Sequence, residues 1–273
     1  MQKLNLIHLE NSDIKYNIFK FPDGEIQISL GEFSRKDSVL VKCRITNSDE
    51  LFILTQVMDI LDRQDVRYVI NIYYLMGMRM DRVMDFNRPF TLKIILQILA
   101  NSNAEEIGIL EAHSDVVYDY RFGRKIVSPL PTPYIYEFSD LNVEGKYQIV
   151  LPDAGAKERY ECYFAEPIII CSKVREESTG KILEIKIDNP KDLNGSPLML
   201  VDDLCDGGGT FCGIAECFRK IGISKDKLNI TVTHMVNSKG IENLSKNFNH
   251  VWFTNSYKDW ENLPENVTMT KII

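Results

Sequence analysis

The sequence predicts an α/β protein of two domains, each a mainly parallel sheet flanked by helices, on three observations. Short apolar runs alternate along most of the chain with stretches whose apolar residues recur at helical spacing. One run, Leu-Met-Leu-Val at 198–201, is apolar at every position, as strands buried on both faces are. Between residues 121 and 142 helical periodicity lapses and Pro129, Pro131 and Pro133 punctuate the chain, which places a junction at the far end of that segment. The expected domains are 1–142 and 143–273.

Taken in order, residues 4–45 read as β-rich, with runs at 4–9, 16–21, 26–30 and 39–45 and a Pro-Asp-Gly turn at 22–24. Asn47 with Glu50 three residues on resembles a capping box, opening a helix with Leu51, Leu54, Val57, Met58 and Leu61 on one stripe. A strand at 67–75 leads into a long loop at 77–89, rich in Arg and Asp. Its methionines, Met76, Met78, Met80 and Met84, read as loop packing rather than a metal site. A second helix carries Leu92, Ile95, Leu96 and Leu99, and strand 107–110 runs into Glu111, His113 and Asp115. After the junction, strand 148–151 ends in Asp153 and a short helix carries Tyr160 and Phe164. Strand 167–171 ends in Lys173, and 182–187 alternates like a hairpin arm following a mobile loop. Strand 198–201, helix 211–221, strand 230–236, helix 239–248 and strand 251–254 complete the alternation.

With 32 Lys and Arg against 39 Asp and Glu, the net charge of −7 gives no basic excess for nucleic acid or an anionic membrane. Six cysteines without a Cys-x-x-Cys read as reduced intracellular thiols. No apolar leader and no run long enough to span a bilayer is present, so a soluble, cytoplasmic protein is expected. A Gly-x-x-x-x-Gly-Lys phosphate loop and a Gly-x-Ser-x-Gly elbow are both missing, which excludes an ordinary P-loop kinase and an α/β-hydrolase.

The chemistry gathers where parallel strands end, the usual ligand position in such sheets. Strand 198–201 is followed by Asp202, Asp203, Asp206, three glycines (Gly207, Gly208, Gly209) and Thr210, then a helix. The glycines admit close backbone approach, and the helix N-terminus offers N–H donors to a phosphate. The acids suit sugar hydroxyls or a metal ion. At other strand ends stand Arg79, Asp81 and Arg82; His113; Asp153; and Lys173 with Arg175. Acids with one His suit Mg²⁺ shared with a nucleotide, and the cations suit phosphate oxygens.

Together these residues resemble the ribose-phosphate pyrophosphokinase family. Val-Asp-Asp-Leu-Cys-Asp-Gly-Gly-Gly-Thr at 201–210 is similar to its sugar-phosphate loop. Phe-Pro-Asp-Gly-Glu at 21–25, Met-Gly-Met-Arg-Met-Asp-Arg at 76–82 and Glu-Ala-His-Ser at 111–114 resemble its nucleotide-binding segments. Leu-Pro-Asp-Ala-Gly-Ala-Lys-Glu-Arg at 151–159 and Cys-Ser-Lys-Val-Arg at 171–175 resemble two further motifs, the second opening a mobile catalytic loop. The six fall in the family's order.

The resemblance implies two phosphoribosyltransferase-like domains, an ATP side and a sugar-phosphate side, with the active site between them. It implies ATP bound by Phe21, Asp23 and Glu25 of a neighbouring copy and by Arg79, Met80, Asp81, Asp85 and His113. The sugar would rest on Asp202 and Asp203, with its 5-phosphate in the loop from Asp206 through Gly207, Gly208 and Gly209 to Thr210. Lys173, Arg175 and His113 would be catalytic, and His113 and Asp153 would hold Mg²⁺. The implied enzyme is a pyrophosphokinase acting as a homo-oligomer, at least a dimer, without nucleic acid or membrane.

Three departures bear on this. The 21–25 match comes early and the chain ends at Ile273, without much of the family's first helix and its C-terminal helical tail, which leaves dimer or hexamer open. Met80 stands where the family has glutamine, and Gly207 where a threonine is usual. A wider, donor-poor loop suits a ribose whose 5-phosphate is extended to a diphosphate, as in ADP-ribose. The expected acceptor is ribose 5-phosphate, with ADP-ribose pyrophosphorylation for NAD synthesis as the alternative. A non-catalytic regulatory relative is a third reading, countered by the presence of Lys173, Arg175, His113 and the acids. A phosphoribosyltransferase is a fourth, and it leaves residues 21–25 and 76–82 unexplained.

Overall fold

The computed structural model describes residues 1–119, 126–130, 132–175 and 182–273. The chain divides into two compact α/β units, residues 1–131 with Ile273 and residues 132–272. The division precedes the expected 142/143 boundary because residues 133–143 are helical and bury Tyr134, Ile135 and Phe138 in the second unit's core. The absent periodicity therefore did not mean absent structure at 133–143.

The first unit comprises β1 (Gln2–Asn5), β2 (Tyr16–Lys20), β3 (Ile26–Leu30), β4 (Val39–Ile45), α1 (Ser48–Arg63), β5 (Tyr68–Leu75), α2 (Thr91–Ala100), β6 (Glu106–Leu110), α3 (Val116–Asp119) and β7 (Ile126–Leu130). Its five-stranded sheet runs β1-β4-β5-β6-β7 and every pairing is parallel. Strand β7 and helix α3 are additions to the expected pattern. The β2–β3 hairpin forms a separate two-stranded sheet. It is held to α1 by the Gln56 amide, which accepts from Ile28 N (2.9 Å) and donates to Ile26 O (2.9 Å). One side chain thus takes the place of a neighbouring strand.

Helix α1 starts where the sequence places it. The Asn47 side chain accepts from Glu50 N (3.0 Å), and the Glu50 carboxylate reaches back to Thr46 N (2.6 Å). Ile53, Leu54, Val57, Met58 and Leu61 are buried against the sheet.

The second unit comprises α4 (Pro133–Val143), β8 (Gln148–Leu151), α5 (Ala154–Tyr160), β9 (Ile169–Arg175), β10 (Ile182–Ile187), β11 (Leu198–Cys205), α6 (Gly209–Lys220), β12 (Leu228–Met235), α7 (Ser238–Asn247), β13 (His250–Thr254) and β14 (Val267–Thr270). Its seven strands are ordered β10-β9-β8-β11-β12-β13-β14. All pairings are parallel except the β9–β10 hairpin. The mobile loop expected after Arg175 lies outside the described residues, as does the Arg175 side chain.

From β8 the chain proceeds to β9 on one side, and from β11 to β12 on the other, so the order reverses between β8 and β11. Ligands bind at such a reversal, beyond the carboxyl ends of the strands. Strand β11 also outruns β8. It pairs with β8 only over Leu198–Leu200 but stays paired with β12 as far as Cys205. Asp202 and Asp203 therefore lie within a strand rather than past its end, as the sequence had suggested. Among the described residues, no helix is long and apolar enough to cross a membrane.

Asn47→Ala removes the α1 cap and is expected to cost about 1 kcal/mol in chemical denaturation. An unchanged midpoint would show that α1 is held by packing alone.

Candidate active site

In the second unit, the acids of β11 face the gap left by the shorter β8, and α5 fills it. Asp153, the residue after Pro152 beyond β8, caps α5 by accepting from Ala156 N (3.0 Å). Its other oxygen takes a 2.7 Å ion pair from Lys173 Nζ on β9. Burial works to raise the Asp153 carboxyl, but Lys173, the Ala156 N–H and Arg159 outweigh it and hold it below the ordinary range. Its side chain is nonetheless 37% exposed, so an ionised oxygen is within reach of a ligand.

Two turns along α5, Arg159 Nη2 donates to Asp202 Oδ1 and Asp203 Oδ1, each at 2.8 Å. Asp203 is buried and Asp202 nearly so. Burial and the neighbouring charge of Asp203 push the Asp202 carboxyl well up, with Arg159 pulling against them. Burial opposes the Arg159 cation too, yet Asp203, Tyr160 and Asp202 more than offset it. Arg159 belongs to the quoted 151–159 motif, but nothing in the spacing marked it as a partner of residues 43 and 44 positions away.

The glycine loop follows directly. Gly208 sits at the N-cap of α6 with φ +75°, a left-handed conformation that glycine tolerates best. The first turn of α6, from Gly209 and Thr210, presents backbone N–H groups that have no partner within the helix. Gly207 has no atom within 4 Å of where a Cβ would stand among the described residues. The loop rests on α7: Asn237 Nδ2 donates to Asp206 Oδ1 (3.1 Å) and Asn243 Nδ2 to Gly207 O (2.8 Å). A Cβ on Gly240 would stand 2.1 Å from the carbonyl oxygen of Asp206. Sequence reading missed all three α7 residues, which approach the loop only through the sheet order. Burial pushes the thiol of Cys205 beside it far up.

In the first unit, Asp81 is buried and held in a two-pronged pair with Arg82 (Nε–Oδ1 2.8 Å, Nη2–Oδ2 2.9 Å). The Arg82 hydrogen bonds hold its carboxyl low against burial, with smaller help from Ser114 and His113. Asp81 of the nucleotide-loop motif thus lies near enough to Ser114 and His113 for both to act on its charge. Glu111, at the end of β6, has φ +38°, which turns the chain just before His113. Arg79 and Met80 are exposed on the turn that starts at Met76, and Asp85 accepts from Asn87 N (2.9 Å) and pairs with Arg88 (2.7 Å). Met78 alone of the loop methionines is fully buried, while Met84 is 72% exposed.

Phe21, Asp23 and Glu25 form the exposed tip of the β2–β3 hairpin. Phe21 and Glu25 line a groove of about 760 Å³ against Asp49, Phe52 and Asp59 of α1. No group of three or more His, Cys, Asp and Glu converges as a metal cage among the described residues. The donor set still fits Mg²⁺, which keeps most of its shell for water and nucleotide phosphates and needs one or two carboxylates from protein. Asp153, ionised and partly exposed, is such a carboxylate.

Gly240→Ala is expected to push α7 off the Asp206 carbonyl and to destabilise the protein by about 1–3 kcal/mol. Thermal unfolding checks this, and an unshifted transition would mean the loop moves freely relative to α7.

No protein-family model matches the chain. The ribose-phosphate pyrophosphokinase of Pyrococcus furiosus is 30% identical over 253 residues, covering 91% of this chain and 86% of the relative. That of Rhizobium meliloti is 25% identical over 243 residues, covering 83% and 73%. The crystal structure of phosphoribosylpyrophosphate synthetase from Mycobacterium smegmatis has the same fold: TM-score 0.79 at 18% identity, over 100% of this chain and 95% of that one. With an archaeal relative at this identity over nearly its whole length, and the motif residues gathered within each unit, the chain belongs to the ribose-phosphate pyrophosphokinase family.

Proposed function

We propose that the protein transfers the β,γ-pyrophosphoryl group of ATP to the 1-hydroxyl of ribose 5-phosphate, giving phosphoribosyl pyrophosphate and AMP. The observation that carries the reading is the meeting of Lys173, Asp153, Asp202 and Asp203 at the β8–β11 reversal, beside a glycine loop that opens α6. The names of the relatives agree with it.

Asp202 and Asp203 accept hydrogen bonds from the ribose hydroxyls. The loop from Asp206 to Thr210 holds the 5-phosphate on backbone N–H groups and the positive end of α6. The 1-hydroxyl oxygen attacks the β-phosphorus, the bond from that phosphorus to the α,β-bridging oxygen breaks, AMP leaves, and the hydroxyl proton passes to solvent. Lys173 stabilises the charge that spreads over the transferring oxygens. Arg175 is assigned the same task from the resemblance alone.

ATP is carried by Arg79, Met80, Asp81, Asp85 and His113, with its base at Phe21, Asp23 and Glu25 of a second copy. The working form is then a homo-oligomer, and the setting cytoplasmic. Asp153 and His113 would hold Mg²⁺, which neutralises phosphate charge when bound.

ADP-ribose is the second reading, favoured by the open space at Gly207. A threonine hydroxyl there would donate to a terminal phosphate, a contact worth roughly 1.5–3 kcal/mol when charge-assisted. Its absence leaves room for a phosphate that continues into a diphosphate.

Incubation with MgATP and each sugar separately, following AMP, decides the acceptor. AMP from ribose 5-phosphate is the expected result, and AMP from ADP-ribose alone would overturn it. Lys173→Ala is expected to lower kcat on the order of a hundredfold or more. Near-normal single-turnover rates in that variant would remove Lys173 from the chemistry.

A further inference from the structure

Asp202 and Asp203 are adjacent, largely withdrawn from water and of like charge, an arrangement that does not hold its shape unaided. A single nitrogen, Arg159 Nη2, lies 2.8 Å from one oxygen of each. Asp202 Oδ1 also accepts from the Asp203 backbone N–H (3.0 Å), so its plane is fixed from two directions. Arg159 is itself fixed. Its side chain is 16% exposed, its guanidinium lies 5.3 Å from the Tyr160 ring centre, and α5 is anchored by the Asp153 cap. We infer that Arg159 is a positioning residue for the acceptor sugar: it draws the two carboxylates onto one donor and sets the orientation in which they receive the ribose hydroxyls.

Two features separate this from an ion pair that merely fastens α5 to the sheet. The partners are the two acids assigned to the sugar, at the point where β11 has lost its β8 neighbour and has no strand to orient it on that side. The guanidinium is planar and held against the Tyr160 ring, so the one nitrogen that meets both carboxylates comes from a fixed direction, whereas a lysine ammonium on a flexible stem supplies charge without that direction. The inference rests on the acceptor reading above.

Steady-state AMP release is measured for wild type, Arg159→Gln and Arg159→Lys, varying acceptor and ATP separately. In Arg159→Gln the acceptor KM is expected to rise at least about tenfold while the ATP KM stays within about twofold, and Arg159→Lys is expected to fall between wild type and Gln. Equal rises in both KM values, or a loss of kcat alone that tracks the folded fraction, would reduce Arg159 to a structural tie and overturn the inference. Where Arg159→Gln does not fold, the Lys variant decides: a wild-type acceptor KM in Arg159→Lys also overturns it. No AMP from the wild-type protein with either acceptor sinks the function and this inference together. Wild-type turnover with an unchanged acceptor KM in the variants sinks the inference alone.

Discussion

A parallel strand buried on both faces leaves ionisable side chains few places except towards its carboxyl end. Both units of this protein obey that constraint. In the second unit β8, β11 and β12 are buried along nearly their whole length, and the ionisable groups collect where β8 stops and β11 continues. The difference in strand length does the positioning. It leaves β11 without a β8 partner beyond Leu200, and there α5, with Asp153 at its cap and Arg159 near its end, reaches Asp202 and Asp203. The acids, the lysine and the glycine loop are near one another because the sheet order brings their strand ends together.

In each unit, taken by itself, cations at the strand ends have acids beside them. Lys173 sits on Asp153, Arg159 on Asp202 and Asp203, and Arg82 on Asp81. A buried charge without a partner costs several kcal/mol, so the pairing lets a chain of net charge −7 keep cations at its strand ends. The consequence is that anionic ligands meet cations already compensated by carboxylates. On the proposed function, a phosphate that draws on Lys173 would share it with Asp153, and a cation held at Asp153 would weaken that hold. On that proposal, charge neutrality of the resting site and affinity for a metal-nucleotide complex would be two sides of one arrangement.

The parts legible in the sequence are those with local causes. The capped start of α1, the Gln148–Leu151 strand and the acid-glycine run all announce themselves within a dozen residues. Helix α4 did not, because Pro133 at its first turn starts a helix as readily as a proline elsewhere ends one. Its buried residues, Tyr134, Ile135 and Phe138, are too few to show a stripe. The four-residue strand β14, at the sheet's edge, has no apolar run to reveal it. In the site, Arg159, Asn237 and Asn243 escaped notice for another reason: their partners are 31 to 44 positions away and are met only once the strands are ordered.

The glycines of the acceptor loop divide by the same logic of local and distant causes. Gly208 is fixed by its own backbone, which is left-handed, and Gly240 by the Asp206 carbonyl that α7 presses against. A side chain at either changes the path of the loop. Gly207 is under neither constraint, since its φ is not left-handed and a Cβ there meets open space among the described residues. Substitution at that position alters what the loop offers a phosphate without altering how the loop is built. Gly208 and Gly240 thus belong to the fold, and on the proposed function a change at residue 207 would alter acceptor selectivity while the sheet, the helix and the paired acids stay as they are.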